Sequence, residues 1–295
     1  MSEKSLRASL YFFGAVVALY LVARLGGEGG GAPATDSDLA AAFGAIDTES
    51  LSLVEIAGPA DALRLERDGD AWTVNGFEAD SSAVARLLRA IDEVEVSGVA
   101  ATNPVNHARL GITADSAWAL TADGGGTVLL GKTGNRFRTS YARLPDADVV
   151  SLIEGDLRSA AARSLFDWRN KIVLEADTAA VASIRVVRDG QAVLYERQDS
   201  AWTTGGEEAD ATTVRNILQE LAGLRASGFA PQDAEMPDEP DRLVQAMDAA
   251  GNEVAAVALV EDDGNFRVST PASPYIIEIP TFRADRIAPG PTDDG

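Results

Sequence analysis

With 295 residues the chain exceeds the roughly 100–200 typical of one domain, and its 46% hydrophobic and 24% charged fractions fit a chain that buries a core. A formal net charge of −21, with acids spread along the whole sequence, sets the surface against phosphate backbones and anionic headgroups and excludes nucleic acid as a natural partner. The absence of cysteine excludes disulfides, thiolate metal sites, a cysteine nucleophile and lipoprotein lipidation.

At the N-terminus, Lys4 and Arg7 precede an uninterrupted apolar run at residues 8–23 (ASLYFFGAVVALYLVA), closed by Arg24 and Leu25. As a helix rising about 1.5 Å per residue, this run reaches the short end of what a bilayer crossing requires, with Arg24 snorkelling to the headgroups. Positive charge before the run and acidic chain after it place the N-terminus in the cytoplasm. Residues 1–25 therefore read as a cytoplasmic tip and transmembrane signal-anchor helix that meets the lipid bilayer through residues 8–25. The expected localisation is the cytoplasmic membrane, single-pass, with the C-terminal domain extracytoplasmic (periplasmic). A cleaved signal peptide is the competing reading. Its small-x-small site, Ala32-Pro33-Ala34, stands far from the apolar core and carries an awkward proline. Residues 26–38 (GGEGGGAPATDSD) have the composition of a tether, and 26–48 is expected to be a flexible linker.

Beyond the linker the chain repeats itself. Residues 54–100 align without a gap onto 184–230, each residue paired with the one 130 positions later. Glu66/Glu196, Trp72/Trp202, Gly76/Gly206 and Asp80/Asp210 fall in register. In each copy Val54-x-Ile56 and Leu63-x-Leu65, or Ile184-x-Val186 and Val193-x-Tyr195, alternate as strands, and the tryptophan begins a third. Asp80 then stands where an N-cap belongs, with Val84, Leu87, Leu88, Ile91 and Val94 recurring at helical spacing; Asp210, Val214, Ile217, Leu218, Leu221 and Leu224 repeat the pattern. The second halves have diverged. Residues 118–122 and 127–130 flank a glycine turn, and 243–247 and 254–259 flank Gly251-Asn252, so both read as hairpins. Phe137-Arg138-x-Ser140 is matched to Phe266-Arg267-x-Ser269, with strands following at 149–153 and 275–279. Residues 155–171 (GDLRSAAARSLFDWRNK), expected only between the copies, read as a helix leading into a connector. The fold class is α+β: an N-terminal transmembrane helix, then two β-rich units, each a mostly antiparallel sheet with one or two packed helices. Unit 1 with its connector helix is expected over 49–175, unit 2 over 176–290 and a tail over 291–295.

Candidate chemistry is sparse. Residues 126–133 (GTVLLGKT) fit the G-x-x-x-x-G-K-[ST] phosphate-loop pattern, but Thr127, Val128, Leu129 and Leu130 form a strand-like run where flexible amides and a following helix are needed. A hairpin strand is the better account. His107 is the sole histidine and has no cysteine with which to share a metal, so a loop or short-helix residue is expected there. Acids crowd residues 233–241 and 261–263, yet neither stretch has calcium-loop ligand spacing, and both read as solvated loop and turn. No catalytic residue, cofactor or metal is assigned. Arg163, Phe166, Trp168 and Arg169 mix aromatic and cationic side chains in an otherwise acidic chain. They read either as a helix end docking its rings between the repeats, which is favoured, or as a partner-binding hot spot.

Several of these features resemble a family of bacterial envelope proteins, domain of unknown function 4340. The resemblance rests on the anchor, the strand-strand-tryptophan-helix opening over 54–94, and Asn103-Pro104 followed by Ala108-Arg109-Leu110-Gly111-Ile112. It continues through the hairpin ending at Leu130-Gly131 and residues 164–171 (SLFDWRNK), similar to the family's connector. Leu110 and Thr113 stand where the family signature has tyrosine and aspartate. Such proteins are often encoded beside ABC-type transport permeases and gliding-motility-like auxiliary proteins. The resemblance thus implies partners among membrane proteins, including an ABC-type permease or its auxiliary subunits, and carries over no catalytic residue. The leading expectation is a membrane-anchored extracytoplasmic interaction module, an accessory subunit of an ABC-type envelope transport system. A soluble-ligand receptor binding between the two repeats is the alternative. A carboxylate-based envelope hydrolase, whose two acids would have to face one cleft, comes third.

Overall fold

The computed structural model describes residues 35–199 and 201–290. The apolar run at 8–23, its flanking charges, the glycine-rich part of the linker before Thr35 and the tail at 291–295 lie outside the described residues. Among the described residues no helix is long and apolar enough to cross a membrane. The chain divides into two compact units between Asn170 and Lys171.

Unit 1 begins earlier than the linker reading expected. Helix α1 (Asp36–Gly44) occupies part of the supposed tether, because the Asp38 carboxylate accepts the Thr35 amide at 2.7 Å while Leu39 and Phe43, one helical turn apart, are buried in the core. Four strands then form a meander: β1 (Leu53–Ala57), β2 (Ala62–Asp68), β3 (Ala71–Val74) and β4 (Phe77–Glu78). Their alternation puts Val54, Ile56, Leu63, Leu65, Trp72 and Val74 on one buried face. Asn75-Gly76 closes the tight β3–β4 turn with φ of 50° and 82°, the pair of positive values a type I′ hairpin requires. Helix α2 (Ser81–Asp92) starts at Asp80, whose carboxylate accepts the amides of Ser82 at 2.8 Å and Ala83 at 3.2 Å. Its apolar stripe, Val84, Leu87 and Ile91 with Ala83 and Ala90, covers the buried face of the sheet. Each such Leu, Ile or Val taken out of water contributes about 1.5–3 kcal/mol.

The chain continues through β5 (Glu95–Ala101), a short 3-10 turn, α3 (His107–Leu110), β6 (Trp118–Ala122), β7 (Gly126–Thr133), β8 (Thr139–Arg143), β9 (Val150–Glu154), α4 (Leu157–Ala161) and α5 (Leu165–Trp168). Unit 2 comprises β10 (Ile172–Leu174), β11 (Val181–Arg188), β12 (Gln191–Gln198), β13 (Ala201–Thr204), β14 (Glu207–Glu208), α6 (Ala211–Ala222), β15 (Leu224–Arg225), β16 (Gly228–Phe229), β17 (Arg242–Asp248), β18 (Glu253–Asp262), β19 (Asn265–Thr270), β20 (Ser273–Pro280) and α7 (Thr281–Ile287). Among the described residues each unit holds one nine-stranded antiparallel sheet, ordered β4-β3-β2-β1-β6-β7-β8-β9-β5 in the first and β14-β13-β12-β11-β17-β18-β19-β20-β16 in the second. The two orders are the same topology, so the repeat extends over the whole of each nine-stranded sheet, and the α+β reading holds at that level.

Two expectations about the diverged halves are corrected. The helix after the last long strand is not confined to the junction: α4 packs on α2 in unit 1, and α7 packs on α6 in unit 2. Among the described residues, unit 2 shows no equivalent of residues 162–170. Phe137 is likewise not the counterpart of Phe266. Ser140 lies opposite Ile153 and Phe266 lies opposite Ile279, so ladder register equates Ser140 with Phe266. Phe137 sits on the turn before β8, 92% exposed, whereas Phe266 is core.

Candidate functional site

The stretch nominated as a partner hot spot lies largely inside unit 1. Ser164 caps α5, its hydroxyl accepting the Asp167 amide at 3.3 Å, and this turn drives Trp168 into the core at 0% exposure. The segment then runs against β4 and the start of α2. Asp80 donates its amide to the Trp168 carbonyl and Asn170 donates its amide to the Glu78 carbonyl, both at 2.8 Å, around an antiparallel bridge between Ala79 and Arg169. The buried Arg169 guanidinium stacks 3.8 Å from the Phe77 ring centroid, and Arg163 lies 6.0 Å from that of Trp168. Phe166 and Arg163 are half-buried. Trp168 and Arg169 are therefore not surface groups: residues 164–170 act as a plug that seals the corner between β4 and α2.

The same corner of unit 2 is an open depression of about 390 Å³ lined by Trp202, Glu208, Ala209, Val214 and Leu218, among others. A second depression, of about 320 Å³, lies on unit 1 beside its edge strand β5 and is lined by Ser97, Val99, Arg109, Arg136 and Tyr141. There the Arg136 guanidinium donates to the Ser97 hydroxyl at 3.0 Å and stands 3.6 Å from Glu154. Val99 is 55% exposed, and the exposed Phe137 ring directly follows Arg136. Neither depression was located from sequence. The sequence match of Phe137 to Phe266 puts it in register with a strand residue, whereas it lies on an exposed turn.

The family-like segment and the apparent phosphate loop turn out to be one structural unit. Residues 103–117 fold over the face of the sheet opposite α2, where Leu110 and Ile112 meet Leu129 and Val150 in a small separate core. Asn103 begins it by accepting the Val105 amide at 3.0 Å. A β-carbon on Gly131 would sit 2.7 Å from the Leu110 carbonyl oxygen, so glycine there is what lets the segment approach β7. Lys132 donates to the Arg109 carbonyl at 3.2 Å, at the C-terminal end of α3. The residues of the motif form strand β7, so its amides point along ladders rather than around an anion.

Arg143 secures the back of this core. Its Nε donates to the Ile112 carbonyl at 3.0 Å and its Nη1 to the carbonyls of Leu144, Pro145 and Ala147. Burial lowers the pKa of this guanidinium, an effect opposed by the charges of Asp148 and Asp146. The His107 ring nitrogen Nε2 lies 2.9 Å from the Asp148 carbonyl, to which it must donate, so the sole histidine ties α3 to the β8–β9 loop. Of the acidic clusters, Glu261 and Asp262 belong to β18, and Asp263-Gly264 forms a hairpin turn with φ of 48° and 78°. Among the described residues no group of three or more His, Cys, Asp or Glu is placed to hold a metal ion.

The model of the family described as a domain of unknown function (DUF4340) matches residues 72–243. The chain belongs to this family. No curated protein and no solved structure matches it. The DUF4340 match opens at Trp72 and closes at Leu243, so it takes in α2, the insert over β7, the plug and the first four strands of the unit 2 meander. The family region thus joins parts of both copies, with residues 164–170 between them.

Proposed function

We propose that the chain is a membrane-anchored, extracytoplasmic interaction module serving as an accessory subunit of an ABC-type envelope transport system. The observation that carries this reading is the surface beside β5. In a protein of net charge −21 it brings Arg109 and Arg136 to one depression, next to the exposed Val99 and Phe137. Exposed aromatic and arginine side chains at one spot are the composition of protein interfaces. The anchor rests on residues 8–23 and the cations that precede them. The test is a photocrosslinking residue at position 137 of the full chain in its native membranes, with crosslinked species identified by mass spectrometry. Adducts to a permease or another integral membrane subunit support the reading. A chain recovered uncrosslinked and released from membranes by a salt wash sinks it.

A further inference from the structure

The two units are copies of one fold, and at one matched corner they differ. In unit 1 the corner between β4 and α2 is sealed by residues 164–170, through the Trp168 ring, two backbone hydrogen bonds and the Arg169 guanidinium. In unit 2 the same positions are kept: Trp202 for Trp72, Ala209 for Ala79, Asp210 for Asp80, Val214 for Val84 and Leu218 for Leu88. Trp202, Ala209, Val214 and Leu218 line the open groove along α6, and Asp210 stands between its lining residues Ala209 and Ala211 in the chain. The Asp210 amide, counterpart of the donor to Trp168, has no protein acceptor among the described residues. Nor do the described residues after α7, 288–290, supply a plug. There the chain is held over the middle of the sheet, where Arg188 of β11 and Arg242 of β17 donate to the Ala288 carbonyl at 3.3 and 3.5 Å, away from the edge strand β14.

We propose that the α6 groove of unit 2 docks an extended segment of a partner protein carrying a large aromatic residue followed by arginine, seated as Trp168-Arg169 is seated in unit 1. The aromatic ring fills the space between Trp202, Val214 and Leu218. The segment's backbone accepts the Asp210 amide and donates to the Glu208 carbonyl, adding a short bridge at the sheet edge. The arginine meets a different surface from its model in unit 1: Glu207 replaces Phe77, so a stacked cation becomes an ion-paired one. Glu207 and Glu208 are both exposed, and the acidic chain as a whole favours a basic segment. Among the lining residues Arg215 is the one cation, and its guanidinium is tied to the Thr212 hydroxyl at 3.2 Å.

This inference rests on the reading of the chain as an interaction module and names the chemistry of one partner. The probe is a fluorescein-labelled peptide with the sequence of residues 162–171 (ARSLFDWRNK), titrated by anisotropy against the full chain. Saturable binding is expected, weakened about tenfold or more when the peptide's tryptophan is replaced by alanine. Leu218→Arg in the protein should weaken it similarly. The exposed Ala211→Arg serves if Leu218→Arg fails to fold. Glu207→Arg should also weaken binding, and a peptide whose second arginine is changed to glutamate should restore it. Absence of saturable binding overturns the proposal. So does binding that ignores Leu218→Arg and Ala211→Arg, since the peptide would then be exchanging with the plug of unit 1. A chain that sediments as a dimer, and as a monomer once Leu218→Arg is introduced, assigns the groove to a second copy and overturns the partner assignment. A failed titration with the position-137 crosslinks intact removes only this groove; loss of both removes the module reading as well.

Discussion

Replacing Gly131 by alanine places one new carbon 2.7 Å from the Leu110 carbonyl oxygen, 2.9 Å from Ile112 Cδ1 and 3.3 Å from the Gly111 carbonyl oxygen. Two of these neighbours are backbone atoms that close α3, so they cannot swing aside as a side-chain end would. The overpacking should cost about 1–3 kcal/mol, all of it in the core that Leu110 and Ile112 build on the sheet. Lys132→Ala removes an exposed hydrogen bond to the Arg109 carbonyl and should cost only about 0.5–1 kcal/mol. Hydrogen exchange followed by mass spectrometry reads both, with unit 2 as the internal reference. Amides of β7 and of residues 107–117 should exchange about 5–150-fold faster in Gly131→Ala, only a few-fold faster in Lys132→Ala, and at unchanged rates in unit 2. A phosphate loop would behave otherwise, with Lys132→Ala abolishing nucleotide binding and Gly131 free of neighbours. Exchange that is indifferent to Gly131→Ala, or more sensitive to Lys132→Ala, would refute the packing argument.

Further predictions concern buried polar groups. The buried Ser140 hydroxyl has no hydrogen-bond partner among the described residues, so Ser140→Ala should stabilise unit 1 by about 1 kcal/mol in urea unfolding. Glu220, 6% exposed, accepts two bonds from Arg283 at 3.0 and 2.5 Å across the α6–α7 contact. Glu220→Ala should therefore cost about 3 kcal/mol, and adding Arg283→Met should recover part of it, because the first change alone strands a charge. Asp210 is held below its ordinary 3.8 by the Thr213 hydroxyl and then by the amides of Thr213 and Thr212. Since folding lowers this pKa, its stabilisation is present above about pH 3.8 and is lost as pH falls through the folded value. Asp210→Asn keeps the cap but not the titration, so its melting temperature should fall less than that of the parent chain between about pH 5 and pH 3.

The opening half of each unit is legible because its constraints are local. Asp80 and Asp210 must stand one residue before their helices, Asn75-Gly76 must make a tight turn, and neither can drift without breaking the element it serves. The later strands obey a constraint that no window of sequence contains, namely which residue lies across the ladder. Ile56 faces Leu120 while Val186 faces Val244, so the offset falls from 130 to 124 at the fifth strand of the sheet order. Leu120 faces Val128 while Val244 faces Val257, restoring it to 129 one strand later, and at Ser140 and Phe266 it is 126. The changes fall in the loops and in irregularities of the ladders, between Leu130 and Thr133 in β7 and between Ala246 and Met247 in β17. A comparison that holds the offset near 130 therefore matches Phe137 to Phe266, a turn residue to a core one. One signal of the insert was present: Leu129 and Leu130 are consecutive and apolar, as a strand covered on both faces requires.

The fate of Trp168 and Arg169 shows why composition alone could not separate a docking site from a plug. A tryptophan beside an arginine gains by leaving water whatever surface receives it, and the same ring contacts and backbone bonds serve a segment arriving from the same chain or from another. What decides between them is chain length. Residues 162–163 suffice to carry the chain from α4 back to the corner of α2, so unit 1 closes its own groove at little entropic cost. After α7, by contrast, the Ala288 carbonyl is drawn to Arg188 and Arg242 on the middle strands, which takes the chain away from β14 and leaves Trp202 half-buried. Among the described residues the duplication thus retained the seat in both copies and the occupant in one.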